Sequence, residues 1–199
     1  IGRQEMGRHV EIEFAMHIQE KKAQFYILQI RPIVENKDIV EEDLTLIPKE
    51  DVVVYSPSTL GNGIINDVFH VLYVKSDRFD PAHTMQIARE IERINTDLVS
   101  QQKGYVLVGP GRWGSSDPWL GIPIKWPHIS GARLIVESTL ENYRVDPSQG
   151  THFFQNLTSF GVGYLTINPS CGEGCFDEKY LNSLPAKAET NFIRLVESE

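Results

Sequence analysis

The chain has 199 residues, 41% hydrophobic and 23% charged, the composition of a folded protein with length for one domain or two small ones. Its 19 Lys and Arg against 27 Asp and Glu give a formal net charge of −8, which excludes the basic footprint of a nucleic-acid binder. No apolar run approaches the roughly 18 residues of a membrane span, no secretory leader opens the chain, and two cysteines are too few for a disulfide framework, so a cytoplasmic protein with no membrane contact is expected.

Strand-like sequence begins close behind Ile1, and the chain is expected to be part of a longer polypeptide. Val10, Ile12, Phe14, Met16 and Ile18 alternate with Glu11, Glu13, Ala15 and His17, the period of a strand with one apolar face. "FYILQIR" at 25–31 is rich in strand formers, and the polar "QEKKAQ" between suits a loop. Residues 10–31 therefore read as an antiparallel hairpin. Pairing Glu13 with Gln29 sets Glu11 against Arg31, Ile12 against Ile30 and Phe14 against Leu28. A register that sorts the apolar residues onto one face gathers Glu11, Glu13, Gln29 and Arg31 on the other. Two carboxylates and an amide oxygen are hard ligands suited to Mg²⁺, and Arg31 offers a fork of donors for phosphate. The same four residues also describe a solvated strand face with a cross-strand Glu–Arg pair.

The segments "EIEFA" and "FYILQIRP" resemble the last strands of the nucleotide-binding half of the pyruvate phosphate dikinase and phosphoenolpyruvate synthase family, which has an ATP-grasp fold there. The family pattern is acid-Ile-Glu-aromatic, a short loop, then Leu or Val-Gln-x-Arg-Pro. Here it reads Glu11, Ile12, Glu13, Phe14, then Leu28, Gln29, Ile30, Arg31, Pro32, with Glu11 where Asp is commoner. The resemblance covers residues 5–34. It implies a kinase-like phosphotransferase that uses ATP and Mg²⁺ and passes phosphate to a small acceptor. Glu11, Glu13 and Gln29 would stand near the metal, and Gln29 and Arg31 near the nucleotide phosphates, with Arg31 at the group being transferred. The family's glycine-rich ATP loop and adenine pocket would lie upstream. Its phosphohistidine segment has no match here, since "SQGTHFFQN" lacks the pattern. This chain alone is therefore expected not to complete a phosphotransfer cycle.

"RPIVENKDIVEEDLTLIPKED" carries two prolines and seven acidic residues without a clean period and reads as a connector. The expected division is residues 1–47, ATP-grasp end and connector, and residues 48–199, an accessory α/β domain. In the latter "VVVYS" is a short strand, "PSTLGNG" a turn cluster, and "IINDVFHVLYV" one or two strands. A long helix follows, capped by Asp80 with Pro81 in its first turn. Ile87, Ile91, Ile94 and Leu98 form its apolar stripe, and Gly104 is placed at its end. "YVLV", "ARLIVES", "VGYLTIN" and "FIRLVES" read as strands. "THFFQNLTSFG" and "FDEKYLNSL" read as short helices, the first turning Phe153, Phe154, Leu157 and Phe160 to the core. The fold class is α/β (α+β): a terminal hairpin, then a mixed sheet with one long and two short helices.

"GPGRWGS" at 109–115 spells G-x-G-x-x-G, and "GPGRWGSSDPWLGIP" resembles a segment that accompanies bacterial phosphoenolpyruvate-synthase-like proteins. A dinucleotide site needs a helix that opens inside the motif. Ser115, Ser116, Asp117 and Pro118 deny it one, which disfavours an NAD enzyme. Two readings of the loop stay open. Its backbone N–H groups could form an anion nest, with Arg112 adding charge and Trp113 and Trp119 stacking on a base or sugar. Alternatively the tryptophans fold back and pin the loop. Arg112, Trp113, Asp117 and Trp119 are its candidate ligand residues, in an accessory ligand-binding or protein-interaction domain without catalysis of its own. His152 reads as a general base or phosphate acceptor, or as a capping or surface residue. Asp117, Arg133 and Glu137 lie near the same strands, and their convergence is not decided by sequence. Cys171 and Cys175 in "SCGEGC" are not spaced as the usual C-x-x-C, and a metal site would need further ligands, so they read as structural or incidental, with a metal or redox role as the alternative.

Overall fold

The computed structural model describes residues 4–5, 10–19, 22–32, 44–61, 63–66, 68–146, 148, 157 and 161–197. The chain divides into two compact units, Ile1–Asn36 and Lys37–Glu199.

The first unit is the expected hairpin. Strands β1 (Val10–Gln19) and β2 (Lys22–Pro32) pair antiparallel. They run further toward the turn than the polar sequence suggests: Gln19 pairs with Lys22 and Ile18 with Ala23, so most of the segment assigned to a loop is strand. Glu11 pairs with Arg31, Ile12 with Ile30 and Glu13 with Gln29, but Phe14 pairs with Ile27 and not with Leu28. The register shifts by one residue between Glu13 and Phe14. Without that shift Met16 would face Tyr26, and His17 would face Phe25. The extra residue, Leu28, changes the parity of β2, so that Ile27 and Phe25 join Ile12, Ile30, Phe14 and Met16 on one face. The Phe14 and Phe25 rings stack there with centroids 4.6 Å apart.

The second unit is a mixed α/β structure around a seven-stranded sheet. Its elements in chain order begin with β3 (Val54–Tyr55), β4 (Ser58–Leu60), β5 (Val68–Val74) and helix α1 (Thr84–Ser100). Next come β6 (Gly104–Pro110), β7 (Arg112–Trp113), β8 (Gly121–Ile122), β9 (Ala132–Ser138) and β10 (Gly163–Ile167). The chain closes with β11 (Cys175–Phe176), helix α2 (Glu178–Ser183), β12 (Ala186–Glu189) and β13 (Ile193–Glu197). The sheet order is β12-β13-β5-β6-β9-β10-β4. Its centre, β5 to β10, is parallel, and the pairs at both margins are antiparallel.

Alternation along the central strands fills two cores. Leu72, Leu107 and Ile135 pack on one face with Ile87, Ile91, Ile94 and Leu98 of α1. Ile91, Ile129 and Leu157 come from the three crossovers between neighbouring parallel strands, and all three join this same core. The other face packs Tyr73, Val108, Val136 and Ile167 with Leu181 of α2. Burying each large aliphatic side chain contributes about 1.5–3 kcal/mol, so the helix stripe is a main support of the sheet.

Asp80 accepts from the Ala82 N–H and caps a 3-10 turn, Pro81–His83, that leads into α1. The helix ends at Ser100 rather than at Gly104. The reversal falls on Gln102 (φ 57), where the Gln102 and Lys103 N–H groups close back on Val99 and Leu98, and Gly104 already belongs to β6. "PSTLGNG" holds the edge strand β4, because its backbone pairs with β10. Of the expected helix at 151–161, Leu157 is buried and Gly161 has φ 67; His152, Phe153, Phe154 and Phe160 lie outside the described residues.

Candidate functional site

On the hairpin, positions 11, 13, 29 and 31 share the face opposite the apolar ladder, with Glu11 across from Arg31 and Glu13 across from Gln29. The Glu13 and Gln29 side chains are exposed. The face offers oxygen ligands, which suit a hard cation such as Mg²⁺. Among the described residues no group of three or more His, Cys, Asp or Glu side chains is gathered to hold a metal. The other face is unusual for a strand pair. Phe14, Met16, Ile27 and Ile30 are 53, 54, 56 and 37% exposed, so a continuous apolar ladder lies open to water.

The second unit shows what the glycine motif does. Trp113 is 2% exposed. Its indole lies over β6, where a Cβ on Gly109 would come within 2.5 Å of the ring, and its ring N–H donates to the Val136 carbonyl at 3.0 Å. Gly111 turns the chain with φ +71, and Tyr143 and the Leu120 carbonyl crowd the space a side chain would need. The motif is thus shaped by close approach and chain reversal. No helix follows it: Arg112–Trp113 pairs parallel with Gly121–Ile122, and Asp117 turns the loop by accepting from the Trp119 N–H at 2.9 Å. Spatial order β5-β6-β9-β10 also follows chain order, so the central strands have no reversal point of the kind that opens a nucleotide crevice.

Across Gly111–Gly114 the backbone N–H groups that an anion nest would use are already spent. Gly111 N–H donates to Ser138, Arg112 N–H to Leu120 and Gly114 N–H to Ile122, while Trp113 N–H donates to a Glu137 oxygen at 2.9 Å. Pro110 has no N–H. Trp113 is equally withdrawn from ligand stacking by its burial.

Glu137, one of the three charged residues whose convergence sequence left undecided, is a centre of its own. It is 4% exposed and accepts from Trp113 N–H, Ser148 N–H at 2.9 Å, Ser148 Oγ at 2.6 Å and Tyr164 Oη at 2.8 Å. Four donors surround one carboxylate and tie the glycine loop, the 139–148 segment and β10 to β9. Burial first, then the Glu137 charge and hydrogen bond, push the Tyr164 phenol well up, so it stays a donor. The available signal was parity: Glu137 sits two residues from Ile135 on the core side of β9. Arg133 lies at the opposite end of β9, over Gly104, and does not join it.

Asp117 and Trp119 remain at the surface, and Arg112 is partly buried. Arg112 Nε donates to the Asp146 carbonyl at 2.7 Å. The Tyr143 hydroxyl donates to Pro118 at 3.4 Å, and its phenol is pushed up to about 12, chiefly by burial, with Asp117 adding and Arg112 opposing. Asp117 is exposed, and Trp119 is 69% exposed. Cys171 and Cys175 are free and exposed. No described helix is long and apolar enough to cross a membrane. Comparison with family models, with curated proteins and with solved structures finds no match to this chain.

Proposed function

We propose that the hairpin is the metal-and-phosphate end of an ATP-grasp nucleotide-binding domain, in a phosphotransferase similar to phosphoenolpyruvate synthase and pyruvate phosphate dikinase. The supporting observation is the register: Glu11 opposes Arg31 and Glu13 opposes Gln29, four positions on one face, while the bulge beyond Glu13 brings Ile27 and Phe25 onto the apolar face. The open apolar ladder fits the same reading, because a two-stranded ribbon is marginal alone and suits the wall of a larger domain.

Bound Mg-ATP supplies the phosphoryl group, and catalysis of its transfer rests on positioning and charge neutralisation. Glu11, Glu13 and Gln29 bind the cation through oxygen. Arg31 orients and steadies the phosphate with its fork of donors. The acceptor is a small molecule, met by the whole phosphotransferase rather than by this segment.

The test is isothermal titration of Mg-ATP into a form of the chain extended upstream. Glu13→Ala is expected to weaken binding roughly 10- to 100-fold, the size of one lost charge-assisted contact. Unchanged affinity overturns the assignment.

A further inference from the structure

The geometry points to a second ligand site, independent of the hairpin, in which Arg112, Asp117, Trp119 and Tyr143 take a phosphorylated sugar. Arg112 follows β6 by two residues, just past the carboxyl end of a central parallel strand. It is partly buried, and its Nε is spent on the Asp146 carbonyl. Among the described residues no carboxylate pairs with it, although the chain carries 27 acidic side chains against 19 basic ones. That leaves the two terminal guanidinium nitrogens, the pair that grips a phosphate in a fork.

The backbone that carries the guanidinium is also held in place. Arg112 N–H donates to Leu120 at 2.8 Å, its residue pairs with Gly121, and the next N–H is anchored on Glu137. Such a prearranged cation loses little freedom on binding. Trp119 immediately precedes Leu120, the residue whose carbonyl takes the Arg112 N–H. The two tryptophans of this loop have opposite fates: Trp113 is in the core, whereas Trp119 keeps most of its surface in water. Its N–H is fixed on one Asp117 oxygen. An indole held open on a braced turn offers a flat face for a sugar ring. The second Asp117 oxygen accepts from sugar hydroxyls, and the Tyr143 hydroxyl is held on the Pro118 carbonyl, between Asp117 and Trp119 in the chain. One anion, one ring face and several hydroxyls define a phosphate monoester of a sugar, either free or within a nucleotide.

The experiment follows the indole N–H signals and tryptophan fluorescence of the whole chain, without Mg²⁺, as ribose 5-phosphate, AMP, ribose or inorganic phosphate is added. Ribose 5-phosphate is expected to shift the Trp119 indole signal saturably, and ribose to leave it in place. Arg112→Gln is expected to weaken binding about tenfold or more. Trp119→Ala, at an exposed position, is expected to weaken it several-fold while leaving the fold intact. Tighter binding of AMP assigns a nucleotide, and equal binding assigns a sugar phosphate; both support the site. No saturable shift at about 10 mM, at the weak end of measurable affinity, overturns it. So does equal affinity for inorganic phosphate, or unchanged affinity in Trp119→Ala. If Arg112→Gln does not fold, Arg112→Lys replaces it, and full retention of affinity there overturns the bidentate role.

Discussion

The hairpin strands alternate apolar and polar residues, the central strands run apolar on both faces, and the two reach opposite ends of the burial scale. Leu72, Leu107 and Ile135 are fully buried, while Ile12, Phe14, Met16 and Ile18 are 42–64% exposed. The difference lies in the third dimension. Each face of the sheet meets a second layer, α1 and the crossovers on one side and α2 on the other. Among the described residues of its own unit the hairpin meets no second layer. Period-2 alternation therefore specifies which face is apolar and leaves open what covers it.

The comparison breaks most sharply on one residue type placed in both settings. Leu107→Ala removes a fully buried side chain and is expected to cost about 2–5 kcal/mol. Leu28→Ala, at a 61% exposed site, is expected to stay within about 0.5 kcal/mol. Urea midpoints from tryptophan fluorescence measure both, and a Leu28→Ala cost near that of Leu107→Ala would mean that the hairpin is covered. A carboxylate pair sharpens the contrast. Glu137→Ala strands buried donors at Trp113, Ser148 and Tyr164, and with about 1–3 kcal/mol for each unsatisfied group a loss of roughly 3 kcal/mol is expected. Glu13→Ala is expected to leave stability within about 0.5 kcal/mol while weakening Mg-ATP binding as described above. A stable Glu137→Ala protein would remove Glu137 from the centre of the loop's support.

Much of the fold was legible where local pattern and tertiary setting agree. The stripe Ile87-Ile91-Ile94-Leu98 identified α1, and apolar runs identified β6, β9, β10 and β13. The lower half of the hairpin register followed from face sorting alone. The bulge was not seen because it resolves a conflict that appears only when both strands are laid side by side: Phe25 and Ile27 have odd parity, Ile30 even. The short strands β4, β7, β8, β11 and β12 owe their existence to pairing partners distant in sequence, so propensity says little about them. The role of Glu137 stayed undecided for the same reason, since its donors come from positions 113, 148 and 164. For the glycine motif the proline-broken sequence after Gly114 already denied a helix. Trp113 burial and the spent N–H groups needed coordinates.

The smallest expected effect uses burial of a titrating group, which no described hairpin side chain undergoes. His70 of β5 is 5% exposed and pairs with Glu197 of β13, its Nε2 3.7 Å from the carboxylate. Burial is the leading influence and lowers the imidazole pKa from 6.5, the Glu197 charge opposes it, and Lys103 and Lys187 reinforce it. Above pH 6.5 the imidazole is neutral in both the folded and the unfolded chain, and its contribution to stability is complete. As the pH falls, the unfolded chain takes up the proton first, so stability declines until the pH passes the lowered folded value and then levels off. Glu197, whose own pKa is lowered chiefly by the Lys187 hydrogen bond, keeps its contribution above its ordinary value of 4.5 and loses it only as the pH falls through its folded value. Urea midpoints between about pH 8 and pH 5 should therefore decline in the wild type. In His70→Gln, referred to its own value at the upper pH, the decline should be shallower. Parallel profiles would assign the slope to other groups.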